Sequence, residues 1–218
     1  MNDASRVGPM STQTSSGPNP FCTRFIRPGS LDYIFPVSVA ADRFWKRLER
    51  LKFRGQILGK HGTGKSTLLA TIERQLVAER RVVVPIRQPD REGRSLFRAV
   101  WDTRGQSGVV LVDGFERLSR IAQAVLIQAA CRLDSGLLVS TNRPVKLAVL
   151  WQTRVSEAIA SQVVARLTAA DEAAQRHAVQ RLAARLARHP GDLRETLFEL
   201  YDVEASRRAA ARGVLRCL

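Results

Sequence analysis

At 218 residues with 44% apolar side chains, the chain is long enough to bury one sizeable core with a small appended subdomain, but not two full domains. It holds no run long enough for a membrane-spanning helix, and its first twenty residues lack the apolar stretch of a secretory signal, so a soluble, cytoplasmic protein is expected. The balance of 35 basic against 20 acidic residues leaves +15. Two readings of that charge stay open, a nucleic-acid contact and generic surface charge, and the second is favoured because the arginines are dispersed from Arg6 to Arg216 without an aromatic-basic stripe.

Residues Met1 to Pro20, rich in Ser, Thr, Gly, Asn and Pro, read as a disordered tail. From Phe21 to Pro36, aromatics mix with prolines and a glycine, the composition of an extended arm that either walls a base pocket or simply docks on the core. Phe44, Leu48 and Leu51 recur at helical spacing and predict an amphipathic helix over Ala40 to Lys52. Gly55 to Leu58 reads as a buried strand, Ser66 to Glu79 as a helix, and Arg81 to Ile86 as a second strand that Pro85 confines to an edge or an end. A short helix at Ser95 to Thr103, a strand at Val109 to Val112, a helix at Leu118 to Leu133 and a strand at Gly136 to Ser140 follow, with a fifth short strand at Leu150 to Val155.

From Ser156 onward the pattern is helical throughout. Asp171 caps a helix that stops at His189-Pro190-Gly191, and Asp192 caps a last one. The predicted fold is therefore α/β, a three-layer parallel sheet with a small C-terminal helical lid: a tail over 1–20, an arm and helix over 21–53, a core over 54–155 and the lid over 156–218. Cys22, Cys131 and Cys217 are few, odd in number and far apart, which suggests neither a disulfide framework nor a zinc site; Cys131 is expected to be buried.

The most informative stretch is Gly59-Lys60-His61-Gly62-Thr63-Gly64-Lys65-Ser66, placed between a strand and a helix. That is the spacing and context of a loop that cradles phosphates. Gly59, Gly62 and Gly64 let backbone N–H groups crowd around an anion, Lys65 supplies a point charge for the β- and γ-phosphates, and the Ser66 hydroxyl can ligate Mg²⁺. Lys60, His61, Thr63 and Thr67 complete the expected nucleotide-binding stretch.

Asp113 ends a strand of four apolar residues, at the carboxyl edge where open α/β sheets bind ligands. It suits either the water shell of Mg²⁺ or a plain Asp-Gly turn. Glu116, three residues on, suits either the polarisation of an attacking water or a helix start whose dipole it complements.

Gly59 to Ser66 and Val109 to Asp113 resemble the Walker A and Walker B motifs of P-loop NTPases, over roughly Arg54 to Arg143. The strand Arg81 to Ile86 between them is similar to the extra strand of the additional-strand ATPases. Asp113-Gly114-Phe115-Glu116 resembles the acidic motif of the NACHT branch of the STAND group, in which a small residue follows the Mg²⁺ aspartate and acidic residues come shortly after; it departs from the AAA+ pattern, whose catalytic glutamate directly follows that aspartate. Ser140-Thr141-Asn142-Arg143-Pro144 resembles the sensor segment of AAA+ and STAND proteins, and Gly191-Asp192-Leu193-Arg194 their second sensor.

The resemblance implies ATP and Mg²⁺ as cofactors, Lys65, Glu116, Asn142 (or Thr141) and Arg194 as catalytic or sensing residues, and Ser66 with Asp113 at the metal. It further implies a Mg²⁺-dependent ATPase acting as a switch or small motor with a protein partner, and admits an oligomer in which an arginine acts in trans. The alternatives are a nucleotide-binding module with negligible turnover, a DNA- or RNA-associated ATPase, and a P-loop kinase.

Overall fold

The computed structural model describes residues 17–36, 38–105 and 108–216. Of the tail expected over 1–20, residues 1–16 lie outside the described residues, as does Cys217. Near the start, Asn19 donates a side-chain hydrogen bond to the carbonyl of Tyr201 at 3.0 Å and Pro20 is buried, so packed structure begins slightly before Phe21.

The arm contains a one-turn helix, α1 (Thr23–Ile26), and leads into α2 (Ser38–Arg50). That helix buries Phe44 and Leu48, four residues apart, and stops where Lys52 and Phe53 adopt positive φ. Then follow β1 (Arg54–Leu58), α3 (Lys65–Ala78), β2 (Val83–Arg87), α4 (Arg94–Asp102), β3 (Val109–Asp113), α5 (Arg120–Arg132), β4 (Gly136–Thr141) and β5 (Val149–Gln152). The apolar spacing of each helix sets the face it buries. In α5, Ala122, Leu126 and Ala130 point inward, and Cys131 sits one residue, about 100° of helix, past that face. It is exposed, which corrects the expectation of a buried thiol.

All five strands are parallel, in the order β2-β3-β4-β1-β5. Along β3 the side chains alternate: Val110 and Val112 join α4 and α5 on one face, whereas Val109 and Leu111 join α2 and α3 on the other. The result is the three-layer α/β fold of a P-loop protein. The strand placed between β1 and β3 is β4, not the expected Arg81–Ile86 segment. Every residue of β4 is buried, as an inserted central strand requires, whereas β2 is half-exposed and pairs only with β3. Pro85, which has no N–H to give, is tolerated on that edge.

The C-terminal helices α6 (Glu157–Leu167), α7 (Glu172–Arg188) and α8 (Leu193–Arg216) form a separate apolar cluster that takes in Phe21 from the arm. Ser156, Asp171 and Asp192 cap them, accepting from the N–H groups of Ile159, Ala174 and Glu195 at 3.3, 2.9 and 3.1 Å. Among the described residues no helix is long and apolar enough to cross a membrane.

A buried ionic knot fastens this unit. Glu204 accepts from Arg207 at 2.6 and 2.9 Å and from Arg208 at 2.5 Å; Arg208 also reaches Asp171 at 2.5 Å and the Gly17 carbonyl. Burial alone would push the Glu204 carboxyl up, but the hydrogen bonds from Arg207 and Arg208 hold it below the usual range. A lowered folded pKa stabilises above the unfolded carboxylate pKa and is lost as pH falls through the folded value. Glu204→Gln takes from Arg207 its carboxylate partner and from Arg208 one of two, and is expected to cost about 2–3 kcal/mol, less than a fully buried pair because Arg208 keeps Asp171 and Arg207 keeps 24% of its side chain exposed. Thermal melts at neutral pH and at about pH 3 check this: the deficit should shrink in acid.

Candidate functional site

The loop between β1 and α3 curls back on itself. Gly62 and Gly64 have φ of 70° and 90°, a region that only glycine enters freely. The Lys65 ammonium donates to the carbonyls of Gly59 and Lys60 at 2.8 and 2.6 Å, and the Thr63 hydroxyl donates to Lys60 at 2.8 Å. Helix α3 has no side-chain cap and no acidic residue in its first turn, so its positive end faces the loop's interior.

The loop opens onto a cavity of about 450 Å³, within the range of small-ligand sites. Residues 61–67 line it; Gly59 and Lys60 do not, and both spend their carbonyls on Lys65. Asp113, Glu116 and Arg194, from three distant parts of the chain, line it as well.

Each of these side chains has a distinct setting. Asp113 Oδ1 accepts from the Ser140 hydroxyl at 2.5 Å, and Ser140 in turn accepts from the Gly114 N–H at 3.0 Å. Glu116 sits in a 3-10 turn, Phe115–Arg117, pinned by the fully buried Phe115. One of its carboxylate oxygens is buried and has no hydrogen-bond partner among the described residues. The next helix begins only at Arg120 and is capped by Ser119, so Glu116 does not serve that helix's dipole. Arg194 is in the first turn of α8, its guanidinium 5.4 Å from the centre of the Phe198 ring.

The sensor segment is arranged differently from expectation. Ser140 faces the cavity and Thr141 does not: the Thr141 hydroxyl is buried and closes a local turn with Arg143, donating to its carbonyl at 2.7 Å and accepting its N–H at 3.2 Å. Asn142, past the strand end, is exposed and outside the cavity lining. The alternation of side chains along β4 is the reason, since only one of two neighbours can face the site.

The arm docks on the core and also lines the cavity. Its Tyr33 docks on the core, the backbone N–H donating to Thr71 Oγ1 at 2.9 Å and the phenol oxygen accepting from the Trp151 indole at 3.1 Å. Ile26, Pro28, Leu31 and Ile34 meanwhile wall the cavity, against Val155, Ile159 and Leu197 opposite. Sequence reasoning missed Ser140 and Tyr33, whose partners lie tens of residues away and leave no local signal.

Ser66 and Asp113 are hard oxygen donors on the same cavity, and among the described residues no cluster of three or more His, Cys, Asp or Glu forms an all-protein cage. That set fits Mg²⁺, which takes one or two protein oxygens and completes its shell with phosphates and water.

The fold and site define a P-loop α/β protein with an additional strand between the loop-bearing strand and the Asp113 strand. No family model matches the chain, and no curated protein matches it in sequence. Among solved structures, RuvB of Thermotoga maritima, a Holliday junction branch migration motor, is similar with a TM-score of 0.49 and 16% identity, over 82% of this chain and 73% of that one. A point mutant of the same motor gives a TM-score of 0.46 and 14% identity, over 74% and 67%. At that level of likeness nothing about this chain's activity follows from the motor's.

Burial lowers the Lys65 pKa, against the opposing fields of Glu116, Asp113 and Asp192. A lysine held below its unfolded value destabilises the fold while it is charged, a penalty present at neutral pH that fades as pH rises through the folded pKa towards the unfolded one. Lys65→Met should therefore melt no lower than the wild type at pH 7 in nucleotide-free buffer. A clearly lower melting temperature would show that the ammonium's bonds to Gly59 and Lys60 outweigh its desolvation.

Proposed function

We propose that the chain binds ATP with Mg²⁺ in this cavity and hydrolyses it, the C-terminal helices acting as a lid that responds to the γ-phosphate. The observation that carries the reading is the buried, unpartnered Glu116 oxygen on the same cavity as Lys65 and Asp113. A carboxylate oxygen is costly to desolvate unless it has a donor to meet, and a phosphate-bound water is such a donor.

In this reading the backbone of residues 61–67 and the α3 N-terminus hold the phosphates, and Lys65 leaves the Gly59 and Lys60 carbonyls to pair with the β- and γ-oxygens. Ser66 and Asp113 hold Mg²⁺, with Ser140 fixing the Asp113 carboxylate. When bound, the ion would neutralise charge on the phosphates. Glu116 orients and polarises the attacking water, and Arg194 stabilises charge that develops on the γ-phosphate. The apolar wall of arm and lid suits a base. Because the lid shares the cavity with the loop, nucleotide state becomes lid position, the output of a switch or a small motor. Asn142 would need to turn inward to take part.

Mg²⁺-ATP at a hundredfold excess over its Kd is expected to raise the melting temperature by about 5–10 °C, from roughly 2.7 kcal/mol of linkage in a chain of this size. Lys65→Met should abolish that rise, and an unchanged rise would overturn the nucleotide assignment. In single-turnover assays Glu116→Gln should keep ATP affinity and slow hydrolysis by about 10²-fold or more. Hydrolysis at the wild-type rate would leave Glu116 as an electrostatic partner of Lys65 and nothing more.

A further inference from the structure

A phosphate loop of this spacing requires glycine at positions 59 and 64, with Lys65 and Ser66, but not at 62. The structure shows what Gly62 permits. A β-carbon built there would lie 1.7 Å from Asp192 Oδ1 and 2.3 Å from its carboxyl carbon, so the carboxylate rests directly on the glycine. No larger residue leaves room for it.

The same Oδ1 accepts from the Glu195 N–H at 3.1 Å and thereby caps α8. Asp192 is further locked into the first turn: its N–H donates to the His189 carbonyl at 3.0 Å and its carbonyl accepts from the Thr196 hydroxyl at 2.9 Å. One atom thus touches the phosphate loop and the first turn of the helix that carries Arg194. A carboxylate against an anion-binding loop opposes ligand affinity. Its presence needs a compensating role, and the geometry supplies one.

We propose that Asp192 is a positioning residue that registers helix α8 on Gly62 of the phosphate loop, so that Arg194, two residues on, faces the γ-phosphate. The Arg194 part rests on the nucleotide reading given above; the contact between Asp192 and Gly62 does not. The anchor is a matter of cap and shape. Asparagine, an equally good N-cap of the same size, should therefore preserve it, whereas alanine should release it.

The full chain is tested as wild type, Asp192→Asn, Asp192→Ala, Arg194→Ala and the double variant Asp192→Ala/Arg194→Ala. Without nucleotide, Asp192→Ala should speed amide hydrogen exchange both in the first turn of α8 and in residues 61–67, and Asp192→Asn should not. Faster exchange confined to α8 would mean a cap without an anchor, and would overturn the proposal.

With Mg²⁺ present, the ratio of ATP to ADP affinity is measured by calorimetry. Asp192→Ala and Arg194→Ala should each reduce the preference for ATP by about tenfold or more, the loss of one hydrogen bond to a charged group. The double variant should fall no further than the worse single one, and Asp192→Asn should stay within about twofold of wild type. Losses that multiply in the double variant, an Asp192→Asn as damaged as Asp192→Ala, or a lowered melting temperature with an unchanged ratio would each overturn the positioning role. If wild type binds no ATP while exchange is coupled as described, the nucleotide reading fails and the anchor stands.

Discussion

The site depends on a packing constraint at the foot of the phosphate loop. A β-carbon at Gly59 would lie 2.1 Å from Thr153 Oγ1 and 2.7 Å from Thr63 Oγ1, so two threonine hydroxyls fill the space that a side chain would claim. Those hydroxyls bond each other at 2.7 Å, and the Thr153 N–H donates to the Leu58 carbonyl at 2.8 Å. A buried hydroxyl that loses its partner costs about 1–3 kcal/mol, so this clamp resists opening. Thr153 lies in the link from β5 to α6. The clamp that curls the loop therefore also sets the point from which the C-terminal helices depart.

Electrostatics follow from that geometry. Curling the loop buries part of Lys65 and places it in the field of three carboxylates, Glu116, Asp113 and Asp192. The carboxylates come from two different parts of the chain, the β3 edge and the start of α8. The arm closes the arrangement from a third. Phe21 is buried among the C-terminal helices, while Arg74 of α3 holds the Gly29 carbonyl at 2.6 Å and pairs with Asp32. The arm is thus fastened at two points along its length and lines the cavity.

Much of this was legible in the sequence, for physical reasons particular to certain residues. The spans of α2 to α5 and of α7 came within one or two residues because their inward faces repeat at 3.6-residue spacing and because Asp171 is a short polar side chain at the right place to cap, as Asp192 is for α8, whereas α1 and the break between α6 and α7 were not foreseen. Pro85 correctly limited β2 to an edge. Strand order was not legible in the same way. The segment between the motifs in sequence is at the sheet's margin, while β4, later in the chain, is inserted between the motif-bearing strands. A burial pattern can say that a strand is central, but not which neighbours it has.

The composition, the spacing of Gly59, Gly64, Lys65 and Ser66, and Asp113 at the end of an apolar strand by themselves determined an α/β chain with a phosphate-type loop, because each of those signals is local and its physics acts over a few residues. Only the tertiary structure decided that Ser140 rather than Thr141 meets Asp113, that Glu116 keeps a bare buried oxygen, that the arm lines the cavity, and that Asp192 rests on Gly62. Those contacts join residues many positions apart. Their existence depends on how layers pack and which face of a strand turns inward, and no local pattern of side chains encodes that.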